Sequence, residues 1–596
     1  MSRGRIHLVL WGWGFLCFFS SLIYTGYDSF GGNRAVSLAL VEWLLDPALY
    51  PSDPIRDTFP HYVSVLWWIV AWLARYFSLE PLEFVLFLLL RALLFYATYR
   101  LAQSVVPGNL LAILSTMAAM ALVPQPVLAE GTIVVSILEQ SSAAVPFVFL
   151  ALADFIQKRY WLSAVWLGIV ANLTVLYAAY TLVYLGVIAL LLPDYRREWR
   201  VWMKPILVFF VVSLPVMLLL ISRSQVTGLD VELWYTANRF RSAHHLYPLT
   251  FPLSYWMHFM AGCIVMTGLG VAIKRLHPLL ARLHTAWLIS CGVALAAAFA
   301  VVHWVKIPAI TSSQPAKAVD LLVAPASVLV VCAATQLLEN ALKRKSLVPI
   351  LLHILLWTLS INLWSFTVHP KVVPFLFLVS AAGVSIALFR RFQEPENQTL
   401  PAISSLVLIS ALALTIALFS LRQLQVNGQV LHFASSSPIY PLAIWAERNT
   451  PRESVFLIPP GYPDGWSSFR ALSKRGVFVT WKDGTHVLFA PGYTEEWVNR
   501  IAEIGFDIRQ HRLGLRARSP VGPANVNQLY FKLRDADVRR IASRYRVDYW
   551  IVPIDHLSAY PEVFRHGRWK VLQVNTSLRT SPTTPTSQPR RESQRL

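Results

Sequence analysis

The sequence predicts an α-helical polytopic membrane protein with a small α/β domain near its C-terminus. Three observations predict it. Of 596 residues, 56% are hydrophobic and only 14% are charged, whereas soluble domains hold about 45–50% apolar and about 25% charged residues. The apolar excess falls in blocks of about 17–25 residues, the length that crosses about 30 Å of hydrocarbon. PILVFFVVSLPVMLLLIS and PAISSLVLISALALTIALFSL are two of them. Beyond residue 431 the pattern changes to short β-rich runs alternating with amphipathic helical ones.

The formal net charge of +20 does not point to a nucleic acid. Lys and Arg lie mostly in short loops between spans and in the polar C-terminal region, which is how a bilayer protein orients itself. Cys17, Cys263, Cys291 and Cys332 all fall in apolar blocks, so no disulfide framework or cysteine metal site is implied.

The basic clusters fix an expected topology. Arg3/Arg5, Lys158/Arg159, Arg196/Arg197/Arg200, Lys274/Arg275, Lys343/Arg344/Lys345 and Arg390/Arg391 should share the cytoplasmic side. The first apolar run lacks a convincing cleavage site and reads as a retained span. The expected spans number about thirteen, near 6–26, 82–105, 109–124, 143–157, 162–175, 177–192, 205–222, 254–273, 285–305, 319–340, 347–367, 372–389 and 401–421. This arrangement places the N-terminus in the cytoplasm and the C-terminal domain outside, in a bacterial inner membrane. The run HYVSVLWWIVAWLARYFS (61–78) would reverse every later loop if it crossed. It reads as an interfacial segment anchored by Trp67, Trp68 and Trp72. The stretch 161–192 must cross an even number of times, and each half covers only about 22–24 Å at 1.5 Å per residue. A turn near Asn172 would leave a cavity in the outer leaflet.

The transmembrane domain therefore covers 1–431, with outer loops at 27–60 and 223–253. The first loop holds a helix, NRAVSLALVEWLL, expected at the interface with a polar stripe of Arg34, Ser37 and Glu42. The outer domain spans about 432–575. In it ESVFLIPP, RGVFVTW, VDYWIVP and WKVLQV read as strands, and TEEWVNRIAEIGF and DADVRRIASRYR as helices. The Ser/Thr/Pro-rich tail 576–596 reads as disordered.

The chemistry-bearing residues concentrate in the outer segments. No phosphate-binding glycine loop, HExxH or zinc spacing occurs. Asp28, Asp46, Asp53 and Asp57 cluster after the first span. Such carboxylates can bind a divalent cation or act as general base, though Asp-Pro and Ser-Asp-Pro are also ordinary turn chemistry. On the second loop Arg239, Arg241, His244 and His245 could grip a phosphate or lie against lipid headgroups. In the outer domain FRALSKRGVFVTWKDG sets Arg470, Lys474, Arg475 and Lys482 beside Trp481. That mixture suits a sugar or lipid-phosphate headgroup, or a strand with a solvated face. Glu130 and Glu139, between two spans, are costly in lipid and so are candidate functional acids. The spans themselves read as poor in buried charge.

NRAVSLALVEWLLDPALYPSDP, RFRSAHHLYP and FRALSKRGVFVTWK, set in this order of spans and loops, resemble the GT-C superfamily of membrane glycosyltransferases, and a bacterial multi-pass group of that shape. The resemblance covers nearly the whole chain. It implies glycosyl transfer from a polyprenyl-phosphate sugar to an acceptor on the outer face. Asp28 would be general base, assisted by Asp53 or Asp57. Arg241, His244 and His245 would stabilise the departing lipid phosphate, and Glu130, Arg470 and Lys482 would bind substrate. The family usually places an Asp-Glu or Asp-x-Asp pair at the start of the first loop. Here Asn33-Arg34 opens the helix and only Asp28 precedes it, a departure that leaves the divalent cation without its usual ligands. The alternative is a transporter, lipid-handling or assembly protein of the same fold.

Overall fold

The computed structural model describes residues 3–122, 128–129, 134–222, 229–343, 430–461, 463–511, 513 and 522–575. The expected spans 347–367, 372–389 and 401–421, the tail 576–596 and Glu130 lie outside them.

Runs of Leu, Val, Ala and Phe become helices where the hydropathy places them, three of them with an interior proline, Pro146, Pro215 or Pro325. Five stretches are long and apolar enough to cross a membrane: Leu79–Val105, Trp199–Ile221, Leu253–Ile273, Pro278–Val305 and Pro308–Asn340. The chain is an integral membrane protein. Large side chains such as Leu207 and Ile221 stand exposed on the outside of the bundle, as lipid-facing residues must. The helix Pro315–Lys343 is the opposite case. It is buried almost all round, packed by the helices Pro278–Ala300, Leu110–Leu122 and Leu253–Ile273, and it forms the axis of the bundle.

Several local expectations change on folding. The segment 61–78 holds a helix of nine residues, Val65–Leu73, about 13 Å long at 1.5 Å per residue and too short to cross. Trp68 and Trp72 are exposed, while Trp67 is buried and donates from Nε1 to Gln140 Oε1 at 3.0 Å. The helix Arg34–Leu45 shows no polar outer stripe. Arg34 and Ser37 are buried, and the Arg34 guanidinium forms an ion pair with Glu83, with Nε at 3.1 Å from Oε2. The spans also carry more buried charge than their hydropathy suggests. Glu83, Arg91, Asp154 and Asp320 are all buried, but each is partnered. Arg91 is engaged by Ser21, Thr25 and the Val135 carbonyl, Asp154 by Arg100, and Asp320 by the Leu128 and Ala129 amides. Short helices Tyr160–Leu173 and Val175–Leu191 flank a break at Thr174. Asn172 there accepts from Val216 N and donates to Val212 O. Its side chain thus spans the turn in which Pro215 interrupts the helix Ile206–Ile221.

Seven strands occur among the described residues. The first two, β1 (Tyr27–Asp28) and β2 (Leu431–His432), lie parallel to each other. The other five are β3 (Val455–Leu457), β4 (Gly476–Val477), β5 (Tyr549–Pro553), β6 (Glu562–His566) and β7 (Trp569–Gln573). They form one sheet of order β4-β3-β5-β7-β6 in the C-terminal region. β3 runs parallel to β4 and β5, whereas β7 runs antiparallel to β5 and β6. The parallel strands are buried, as expected of strands connected through helices. β6 is absent from the strands that the sequence predicts, because EVFRH lies on the sheet edge with both faces largely exposed and shows no apolar alternation. The β1–β2 pairing ties this region to the segment that follows the first helix. Three side-chain contacts extend that seam: Lys474 lies between Glu42 and Glu447, Arg452 pairs with Asp46, and Ser468 bonds the Phe30 carbonyl. The sheet region is therefore docked on the segment that follows the first span.

Candidate functional site

Where these segments meet they line a half-open cavity of about 840 Å³. Its walls come from residues 28–62, the start of the helix Gln140–Ile156, residues 240–245, the first turn of Pro315–Lys343, and the 3-10 turn Trp481–Leu488. This brings Asp28, Arg241, His244, His245 and Lys482 to one place from distant parts of the sequence. Glu139 and Lys317 join them.

Each side chain is held by identifiable chemistry. Asp28 closes a turn at the exit of the first span, its Oδ1 accepting from Phe30 N and Gly31 N, both at 2.9 Å. Gly31 is required there, because a Cβ would lie 2.1 Å from Asp28 Oδ2. Asn33 donates to Glu139 Oε1 at 2.9 Å and accepts from Lys482 Nζ, so one amide bridges an acid and a cation across the cavity wall. Arg241 ends the helix Val231–Arg241 and donates from Nε to Trp481 O at 3.0 Å and from Nη2 to Thr485 Oγ1 at 2.6 Å. Gly484 leaves room for it; a Cβ there would sit 2.9 Å from Arg241 Cγ.

Burial and the neighbouring Arg241 and Lys317 charges push the Lys482 ammonium down to about 7, against the pull of Glu139. His245 is driven well below the usual imidazole range by burial first, then by Lys317, His244 and Arg241. Three cationic side chains and two imidazoles thus face two carboxylates around one space. The aromatic faces of Tyr62, Phe240, Trp481 and Phe489 complete the wall.

Three residues that the sequence marks as candidates lie elsewhere. Asp53 is buried and accepts from Ile55 N, Val477 N and Arg470 Nε. Arg470 in turn makes a fork of two 2.9 Å bonds to Asp483. Burial would raise Asp483, but the Arg470 charge outweighs it and holds the carboxyl low. This Asp53–Arg470–Asp483 group clamps the turn 481–488 from behind. Asp57 is exposed in the 3-10 segment Pro54–His61 and does not line the cavity. Sequence reasoning missed Lys317, although a lone Lys in the first turn of a long apolar helix is the available signal.

Among the described residues no group of three or more His, Cys, Asp or Glu is arranged to hold a metal ion. One Asp28 oxygen is committed to its turn and Glu139 to Asn33. The donor set does not fit a divalent cation.

Across 93% of this chain and 70% of the other, the structure resembles the Archaeoglobus fulgidus oligosaccharyltransferase at 12% identity and a TM-score of 0.50. At that identity the likeness is one of fold. Two further solved structures are similar at lower scores. ArnT from Cupriavidus metallidurans gives 13% identity, 97% and 99% coverage and a TM-score of 0.44. The arabinofuranosyltransferase AftD from Mycobacteria gives 12% identity, 96% and 40% coverage and 0.45. A family model described as a domain of unknown function (DUF6798) matches residues 438–504, from the start of the sheet region to the end of the helix Thr494–Glu503. No curated protein matches the sequence.

Proposed function

We propose that this GT-C-fold protein is a glycosyltransferase that moves a sugar from a polyprenyl-phosphate donor to an acceptor on the outer face of a bacterial inner membrane. The observation that carries the reading is the cavity, in which Lys482, Lys317 and Arg241 surround one space at the junction of the helical bundle and the sheet region. Fold alone would be an associational warrant; the cationic chemistry is a physical one. In glycosyl transfer from a lipid phosphate, negative charge grows on the phosphate as the sugar leaves. Prearranged cations at that point lower the barrier. Lys482 is the most responsive, since an anion placed beside it restores the charge that burial and its cationic neighbours oppose. Arg241 holds the turn that presents Lys482. The aromatic walls offer flat apolar faces to a sugar ring. A transporter reading would require a polar track through the bundle; Glu83, Arg91 and Asp154 are instead engaged by local partners.

The test uses the purified full chain in lipid nanodiscs with a radiolabelled polyprenyl-phosphate sugar and cell-envelope acceptors. Transfer of label from lipid to acceptor, lost in Lys482→Met, is expected. Tight binding of the lipid phosphate to wild type and Lys482→Met alike, without transfer, would overturn the reading.

A further inference from the structure

The sequence makes His245 a donor to phosphate. The geometry reverses that role. Its Nδ1 lies 2.8 Å from the Ala129 carbonyl oxygen. A carbonyl can only accept, so Nδ1 carries the hydrogen, and in the neutral ring Nε2 then holds a bare lone pair. The acceptor peptide is itself fixed, because Asp320 Oδ1 takes the N–H groups of Leu128 at 2.7 Å and Ala129 at 3.0 Å. The ring lines the cavity. It also packs against His244, with ring centroids 3.8 Å apart and planes tilted by 56°. Asp28, the other candidate for taking a proton, has one carboxylate oxygen committed to two backbone amides.

We infer that His245, held in a single tautomer by the Ala129 carbonyl, is the proton acceptor of the cavity, with Nε2 taking the proton of the acceptor hydroxyl. This rests on the glycosyltransferase reading above. The acceptor oxygen forms its bond to the anomeric carbon as its proton passes to His245 Nε2. The bond from that carbon to the phosphate oxygen breaks, and its electron pair leaves with the phosphate. The charged groups around the ring among the described residues are Lys317 from the helix Pro315–Lys343, Arg241 from Val231–Arg241 and His244 from its own turn; Lys482, Glu139 and Asp28 stand on the remaining walls. Lys317, His244 and Arg241, with burial, disfavour an imidazolium in the resting site. The ring therefore stays a base until the departing phosphate gains negative charge, and proton uptake is coupled to bond cleavage.

The ring can be tested without any substrate. Diethyl pyrocarbonate acylates only an unprotonated, reachable imidazole nitrogen. Applied to the full chain in nanodiscs between pH 7.5 and 5, with mass-spectrometric readout at each histidine, it should modify His245 at a rate that stays flat with pH. A free histidine peptide in the same reaction should slow by about tenfold per unit below its midpoint near 6.5. A His245 rate that falls in parallel with the peptide's, or no modification of His245 at any pH, overturns the assignment. The second arm is turnover in the transfer assay. His245→Gln should cut kcat by about 10²–10⁴-fold with KM little changed, and the falling acid limb of the wild-type pH profile should disappear in the variant. Full turnover in His245→Gln together with its loss in Asp28→Asn would return the role to Asp28. If wild type shows no transfer at all, the labelling arm still decides the state of the ring, so the two proposals fail separately.

Discussion

At Gly31 a single methyl group decides whether the Asp28 turn can form. The β-carbon of Gly31→Ala would lie 2.1 Å from Asp28 Oδ2, so the carboxylate must shift and disturb its bonds to Phe30 N and Gly31 N. The variant should express and insert normally but lose at least about tenfold in polyprenyl-phosphate binding, measured by displacement of a fluorescent lipid phosphate. Wild-type affinity in Gly31→Ala would show that the turn does not shape the cavity. Lys482 supplies a second residue-scale expectation. With its ammonium pushed down to about 7, it is charged below that pH and a neutral amine above it, so affinity for a lipid phosphate should fall as pH rises through about 7. Lys482→Arg should remain charged across that range and show a flatter profile in the same assay; equal slopes would remove Lys482 from phosphate binding. At this scale the sequence is a partial guide. Asp28, Arg241, His244, His245 and Lys482 stand out because charged and aromatic residues crowd short outer segments, and they do meet in space. Asp53 and Arg470 stand out for the same reason but neutralise each other inside the wall. Residue type marks a side chain as able to do chemistry, whereas burial and partner, set by contacts between residues 53, 470 and 483, decide whether it is free to do it.

The turn Trp481–Leu488 shows how an element is made rigid enough to present a site. Thr480 and Asp483 cap it reciprocally, Arg470 forks onto Asp483, and Asp53 receives the remaining Arg470 bond. Arg470→Ala would strand two buried carboxylates, and breaking a buried ion pair in this way costs about 3–5 kcal/mol. The expected readout is a lower melting temperature in detergent; an unchanged one would mean that water replaces the guanidinium. The same turn carries an acid-sensitive group. His486 is buried, its Nδ1 2.6 Å from Thr58 Oγ1. Burial outweighs the pull of Asp483 and, with Arg470, Lys482 and Arg241 acting in the same direction as burial, pushes its imidazole down to about 3. In the unfolded chain it would titrate near 6.5. The unfolded state therefore binds more protons between those values, and stability falls as pH drops from about 6.5 towards 3. His486→Asn should lack that component, seen as a smaller decline in melting temperature from pH 7 to 4.5 than in wild type. Helices such as Thr494–Glu503 and Asp535–Arg544 are legible from their apolar periodicity. This turn is not: its residues read as strand and loop, since its order comes from side-chain partners rather than from a repeating pattern.

Hydropathy locates the helices of the bundle because lipid demands apolar side chains and internally satisfied backbone groups, a constraint written along the chain. The cavity is written across it. It exists because β2 returns to pair with β1, because Trp234 donates to the Val487 carbonyl at 2.9 Å, and because Ser312 reaches the Leu488 carbonyl at 2.8 Å. Those contacts join segments that periodicity cannot relate. The docking also makes a demand on topology: the exit of the first span, residues 240–245 and the sheet region must lie on the same side of the membrane. The one-sided set of basic loops argues that this side is outside the cytoplasm. Leu557 is almost fully exposed on the sheet region, and Lys204 is exposed at the opposite basic loop. A Leu557→Cys variant in intact cells should therefore react with a membrane-impermeant thiol reagent, and Lys204→Cys should react only after the membrane is opened. Native Cys17, Cys291 and Cys332 are buried and Cys263 partly so, so wild type supplies the background. The reverse pattern would place the cavity in the cytoplasm and end the outward-facing transferase reading. Reaction of both cysteines in intact cells would mean that both positions face outward, and that the basic loops do not orient this chain.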